Sequence, residues 1–369
     1  MAELFIGLIS GTSMDGVDAA LLDCSTPHPQ VIATHAGAYS AELRRQLDAA
    51  LLLENPLAVD LDELDTAVGE AFASAANALL AHAAVEPGAV TAIGSHGQTI
   101  RHEPNAPAPY SLQIGAPRAI SRLTGIDVVA DFRTADIEAG GQGAPLVPAF
   151  HQAVFTDARE TRVILNIGGI ANITILPGAD SDQAVRGFDT GPGNTLMDIW
   201  AVRHLATRMD TDGRWAASGH VNAALLEALL DDPYFRLPPP KSTGREYFNA
   251  GWLSAHLQDS RCPAQDIQAT LCELTACSIS RDILAHAASA QRVLVCGGGV
   301  HNPQLMKRLV TGLPGMTVAS TAACGLDPDW VEAATFAWLA QQHLSARPGN
   351  IPAVTGAGRA VVLGRLFRH

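Results

Sequence analysis

Residues 7–18, GLISGTSMDGVD, carry the residue types of an anion-binding turn. Glycines at 7, 11 and 16 let a backbone take positive φ and let a phosphate approach its amides. Ser10, Thr12 and Ser13 add hydroxyls, and Asp15 and Asp18 add carboxylates suited to a metal ion or a metal-bound water. An ordinary hairpin turn has the same composition, so the weight comes from recurrence. FDTGPGN (188–194) places Asp189 at an expected strand end, and Gly-Pro-Gly-Asn leads into a helix whose first amides are free to face a phosphate. A carboxylate there can act as a base beside a bound nucleotide, or it can cap its own turn.

Three more segments offer polar groups at strand ends, where α/β sheets bind ligands. GSHGQT (94–99) presents His96, either to a ligand or as a buried histidine. DFR (131–133) ends in Arg133, which pairs with a substrate carboxylate or with Asp131 or Asp136. CGGGVHNP (296–303) joins a strand to a helix through Gly297, Gly298 and Gly299, leaving room for a flat base or ribose. The loop GGQGAP (140–145) is a hinge or a substrate-facing segment. No G-x-x-x-x-G-K-[ST] loop, no G-x-G-x-x-G between a first strand and helix, and no G-x-S-x-G elbow is present.

The elements that must position these loops alternate between strand and helix, which is an α/β pattern. Strands are expected at 4–9, 17–22, 31–38, 92–95 and 127–130, with helices at 60–82 and 116–123. In the long helix, Asp60 is the expected cap, Glu63 takes the capping-box position, and Leu61, Leu64, Val68, Phe72, Ala75 and Leu79 share a face. A second cycle starts near 160: strands at 162–167 and 170–176 around Gly168-Gly169, then 184–188. Helices follow at 194–207, 221–230, 249–258 and 264–288. A strand at 292–296, a helix at 302–313, a strand at 316–320 and a helix at 330–344 complete it. Residues 232–245, with three successive prolines before KSTGRE, read as a surface loop. The repeated strand–glycine turn–strand pattern points to an architectural duplication, hence two lobes with a cleft.

In this order, GLISGTSMDGVD, GSHGQT, DFR, GGQGAPLVP, NIGGIANIT, FDTGPGN and CGGGVHNP resemble the anhydro-N-acetylmuramic acid kinase family, from Gly7 to about Gly364. The resemblance implies a duplicated ribonuclease H-like α/β fold of the actin, hexokinase and heat-shock ATPase type, with ATP in a cleft between lobes. The first lobe is expected at 1–140, joined by the tail 352–369, and the second at 141–351. The implied reaction takes ATP, water and 1,6-anhydro-N-acetylmuramic acid to N-acetylmuramic acid 6-phosphate and ADP, in peptidoglycan recycling, with Mg²⁺. By resemblance Asp189 is the base. Gly11, Thr12, Ser13, Met14, Asp15, Gly16, Val17 and Asp18 hold the phosphates, with Gly191, Gly193 and Asn194 also at the nucleotide and Gly297, Gly298 and Gly299 near the nucleoside. His96, Arg133, Asn166 and Glu332 are the expected substrate contacts, and the metal ligands are left open. Two alternatives stand beside this: another sugar kinase of the same fold acting on a free hydroxyl, and a non-catalytic ATP-driven interaction protein.

Composition agrees with a small-molecule enzyme. The 369 residues suffice for two domains, and a net charge of −13 argues against a nucleic-acid partner. No apolar run is long enough for a membrane span, and the N-terminal residues lack a cleavable signal pattern. Six scattered cysteines without a C-x-x-C pair argue against zinc and suit a reducing cytoplasm. A homodimer in the cytoplasm is the expected state.

Overall fold

The apolar run LFIGLI forms a strand buried at every position, β1 (Leu4–Ile9). It pairs antiparallel with β2 (Gly16–Asp23), which pairs antiparallel with β3 (Gln30–Ala38). The chain then crosses through helices Ala41–Leu51 and Asp62–Ala83 to β4 (Val90–Ser95), parallel to β1. A separate hairpin follows, β5 (Gln98–Glu103) with β6 (Tyr110–Ile114). Helix Pro117–Thr124 leads to β7 (Val128–Ala130), parallel to β4.

The second half repeats this plan. The strands β8 (Arg162–Ile167), β9 (Ile170–Leu176) and β10 (Arg186–Pro192) form an antiparallel meander. After several helices, β11 (Arg292–Cys296) lies parallel to β8, and β12 (Thr317–Ser320) parallel to β11. The chain ends with β13 (Arg365–Phe367), antiparallel to β7. The sheet orders are therefore β13-β7-β4-β1-β2-β3 and β10-β9-β8-β11-β12. Leaving β13 aside, each reads 3-2-1-4-5 with only the second strand reversed. This is the ribonuclease H-like sheet, present twice, and the expected fold class is the observed one. The structure is a computed structural model and describes residues 3–11, 14–26, 28–258 and 261–369.

Two compact units result, one of residues 1–154 with 330–369 and the other of residues 155–329. The first unit thus takes in residues 141–154 and 330–351 beyond the expected 1–140 and 352–369, the latter because helix Val331–Leu344 belongs to it. The helix packs on β1, β2 and β4. Glycine at two strand positions permits that approach. A methyl at Gly7 would stand 1.8 Å from the Ala333 carbonyl oxygen, and one at Gly94 1.9 Å from that of Phe336. The opposite face of the first sheet is covered by helix Asp62–Ala83, through Val68, Phe72, Ala76 and Leu79. That helix begins two residues after Asp60, whose carboxylate still accepts the Asp62 amide at 2.9 Å. In the second unit, the long helix Ala264–His286 is the central packing element, against β9, β10 and four other helices. Among the described residues, no helix is long and apolar enough to cross a membrane.

Candidate active site

In the first unit the β1–β2 turn is pinned from within. The Met14 amide donates to the Gly11 carbonyl at 3.1 Å, and Met14 takes φ of 50°. The buried Ser10 hydroxyl donates to Gln98 Oε1 at 2.6 Å. Thr12 and Ser13 lie outside the described residues. The side chains of Met14 and Val17 belong to the apolar core, so either residue meets a ligand only through its backbone. The three glycines have different reasons to be there. Gly7 serves the helix contact above, and a methyl at Gly16 would stand 2.0 Å from the Gly37 carbonyl on β3. Of the three, only Gly11 would carry a methyl that meets nothing within 4 Å among the described residues, which leaves that backbone open. Asp15 pairs with Arg44 at 2.8 Å on the surface, whereas Asp18 is half-buried on β2 opposite Ile9. Asp18 acts with burial, the larger cause, to push the Tyr39 hydroxyl up to about 12.

Three of the four expected substrate contacts come together in this unit. His96 follows β4 and is buried against the Phe336 ring, centroids 4.7 Å apart. Its Nδ1 faces the Gly97 carbonyl at 2.9 Å. Its Nε2 takes Arg133 Nη2 at 2.8 Å and Nε at 3.2 Å. Burial first, then the Arg133 cation, hold His96 well below its ordinary value, so the ring is neutral with its proton on Nδ1 and its Nε2 lone pair toward Arg133. Arg133 also donates to the Gly143 carbonyl at 2.7 Å. Burial lowers it to about 10, while Glu332 and Asp136 favour its charged form. Asp136, fully buried, accepts from Gly143 N, Asn350 Nδ2 and Thr355 Oγ1, which fixes the loop that carries the Gly143 carbonyl. The guanidinium is thus held by partners on two segments, with a neutral histidine taking two of its donors.

Asn166, the fourth contact, is in the second unit on β8, opposite Asn172 of β9 and Cys296 of β11. A methyl at Gly297 would stand 2.3 Å from Asn166 Oδ1, and one at Gly299 2.3 Å from Ile167 Cγ2. These two glycines let the loop close on the end of β8. At Gly298 the nearest atom is Asn194 Nδ2, 4.0 Å away, so this is the open position of the three.

Asp189 is placed differently from the sequence expectation. The strand does not stop before it but runs on to Pro192, and the pairing with β9 slips between Asp189 and Gly191. Gly191 takes φ of 140°, and a methyl there would stand 2.8 Å from the Phe235 ring. The break is a bulge, a device that re-aims a side chain. The three amides leading into the next helix, Thr195–Leu205, are already taken. Gly193 N and Thr195 N donate to the Gly169 carbonyl, and Asn194 N to that of Gly168, at 2.8–3.1 Å. The amides of Gly193, Asn194 and Thr195 therefore serve the β8–β9 turn and not a phosphate.

The partners of Asp189 come from the loop read only as a proline-rich surface segment. Its Oδ2 accepts the Thr243 amide at 3.0 Å and the Ser242 hydroxyl at 3.3 Å. No donor among the described residues reaches Oδ1. Its backbone is tied by Asp189 N to the Lys241 carbonyl, 3.1 Å, and by the Tyr234 hydroxyl to the Asp189 carbonyl, 2.8 Å. Burial pushes the carboxyl up to about 6, against the two donors and the Lys241 cation. The signal in the sequence was KST directly after three prolines: three polar side chains in a fixed turn, given no chemistry because nothing local shows that Lys241 is buried.

Comparison with known proteins gives matches over nearly the whole chain. The family described as Anhydro-N-acetylmuramic acid kinase matches residues 3–369. The protein of that name from Shewanella amazonensis is 53% identical over 366 residues, 99% of this chain and 98% of its own. That from Xanthomonas axonopodis pv. citri is 51% identical over 370 residues, again 99% and 98%. Among solved structures, component A of the Acidaminococcus fermentans (R)-2-hydroxyglutaryl-CoA dehydratase aligns over 91% of this chain and 96% of its own, with a TM-score of 0.45 and 11% identity.

Proposed function

The chain belongs to the anhydro-N-acetylmuramic acid kinase family, and from that premise we propose how its own residues carry the reaction. ATP, water and 1,6-anhydro-N-acetylmuramic acid give N-acetylmuramic acid 6-phosphate and ADP, in peptidoglycan recycling. Two chemistries are joined. Water opens the intramolecular acetal at the anomeric carbon, and the freed O6 takes the γ-phosphoryl group. Opening needs a carboxylate base on the side of the attacking water, as in an inverting glycosidase.

The observation that carries the assignment is the asymmetry of the Asp189 carboxylate. One oxygen is fixed by Ser242 and Thr243, and the other is left to receive a proton from water. A value near 6 makes it a stronger base than an exposed aspartate while leaving it ionised at neutral pH. In the first unit, the backbone at Gly11 takes the ATP phosphates, and Arg133, oriented by His96, takes the carboxylate of the sugar's lactyl group. In the second unit, Gly298 is the open backbone for the nucleoside and Asn166 a sugar contact. A Mg²⁺ ion would neutralise phosphate charge during transfer. The donor set fits an ion that needs only one or two carboxylates beside phosphate oxygens: Asp18, half-buried at the phosphate turn, would hold it. The reading includes the cytoplasm, supported by six cysteines that form no disulfide, and a homodimer, for which exposed Val202, Leu205 and Met209 supply apolar surface.

Mass spectrometry of a reaction with ATP, Mg²⁺ and the anhydrosugar tests the function. The product should gain both water and a phosphoryl group; gain of a phosphoryl group alone would mean a kinase that leaves the anhydro bridge intact.

Two further outcomes follow from the geometry. The value of kcat/KM for the anhydrosugar should fall below pH 6, about tenfold per unit, since protonated Asp189 cannot take a proton. A pH profile flat down to 4.5 contradicts this. Gly11→Ala should leave the melting temperature unchanged, because its methyl meets none of the described residues. It should raise KM for ATP by about tenfold, ~1.4 kcal/mol, by blocking phosphate approach. An unchanged KM would remove Gly11 from the phosphate site.

A further inference from the structure

Lys241 is a cation with a side chain only 2% exposed, between the exposed Pro240 and Ser242. Its ammonium lies 3.0 Å from Asp282 Oδ2 and 3.3 Å from Oδ1, on the helix Ala264–His286. It also sits over the Tyr234 ring, 5.1 Å from the centroid. Tyr234 and the Lys241 backbone both lead back to Asp189. Tyr234 donates its hydroxyl to the Asp189 carbonyl, and the Lys241 carbonyl accepts the Asp189 amide. The next two residues, Ser242 and Thr243, are the donors on Oδ2.

Burying an ion pair is costly, and two well-packed apolar residues would stabilise such a site as well or better. A buried pair beside a catalytic carboxylate therefore calls for another reason. We infer that the Lys241–Asp282 pair is a positioning device for the reaction: it anchors the loop whose Ser242 and Thr243 hold the Asp189 carboxylate. This rests on the reading of Asp189 as the base.

The signs follow from the groups that face Asp189. Lys241 and the two donors favour its ionised form; Glu246, from the same loop, opposes it. Asp282 faces Lys241 and His286, and burial raises its own value against both. Tyr234 keeps its proton, since burial and the nearby Asp189 raise it. Removing the cation, or loosening the two donors, must therefore raise the value of Asp189.

The experiment compares Lys241→Met, Lys241→Arg and the double variant Lys241→Met/Asp282→Leu with the parent. The double variant leaves no unpaired buried ion, so it tests the idea even where Lys241→Met does not fold. Lys241→Met and the double variant should lose about tenfold or more in kcat, the scale of a small misplacement of a reacting group. KM for ATP should stay within about twofold. The acid limb of kcat/KM should move above its parent position, furthest in Lys241→Met, and Lys241→Arg should restore it. A folded double variant with parental kcat and an unmoved acid limb overturns the proposal. So does a loss of kcat with an equal rise in KM for ATP and no movement of the limb, which is a merely structural effect. Asp189→Asn, measured alongside, separates the two levels. If it retains turnover, the base assignment falls; if it is inactive while the Lys241 variants behave as the parent, only this inference falls.

Discussion

Asp189→Asn is expected to lose roughly a hundredfold or more in turnover, the usual scale for one acid–base group, with ATP binding intact. Asparagine keeps the shape, and its carbonyl oxygen can still accept from Ser242 and Thr243. Its amide cannot take a proton from water. Anhydrosugar-dependent ADP release measures the loss, and calorimetry with ATP measures the binding. Near-normal turnover would end the assignment of Asp189 as base.

The same substitution should change stability in the opposite direction. Burial, the largest cause, raises the Asp189 value from 3.8 to about 6. The folded state therefore binds that proton more tightly than the unfolded chain. The stability linked to it is present at low pH and is lost as pH rises through 6. Asparagine carries no charge to bury, so the variant should melt above the parent at pH 8, with the gap closing as pH falls toward 4. A gap independent of pH would mean that Asp189 is not buried at this cost.

The second large effect lies far from any reacting atom. Gly94→Ala is expected to destabilise the first unit by about 3 kcal/mol, the upper part of the range for overpacking. The obstacle is the Phe336 carbonyl, a backbone atom inside helix Val331–Leu344 that cannot rotate away. For a unit of this size that is a fall of about 6–12 °C in Tm. Gly7→Ala, against the Ala333 carbonyl, should behave alike, and Gly11→Ala is the control. Calorimetric melting that shows the parental Tm for Gly94→Ala would contradict the close packing of this helix on β1 and β4.

These cases also show which features were legible before the fold was known. The glycines of the opening turn are visible in sequence, but their reasons are not. Gly7 and Gly16 answer to a helix over 320 positions away and to a neighbouring strand, and only Gly11 has the open backbone that the turn suggested. The doubled sheet was legible because each strand–turn–strand unit has a local pattern. The placing of the last long helix was not, since its partners are β1 and β4. His96, Arg133 and Glu332 were singled out by residue type; their convergence depends on three separate segments meeting. Asp189 was found by its glycine-rich surroundings, yet its bulge and its donors were missed. Register slips are set by cross-strand pairing, and the burial of Lys241 is set by Asp282, 41 residues away.

In the proposed reaction, water activated by Asp189 attacks the anomeric carbon before O6 is phosphorylated. Reaction in ¹⁸O-water with prompt mass spectrometric fragmentation of the product tests this attack most directly, since free reducing sugars exchange that oxygen slowly. One ¹⁸O is expected on the anomeric carbon and none in the phosphate. Label in the phosphate, or an unlabelled anomeric oxygen, would contradict it.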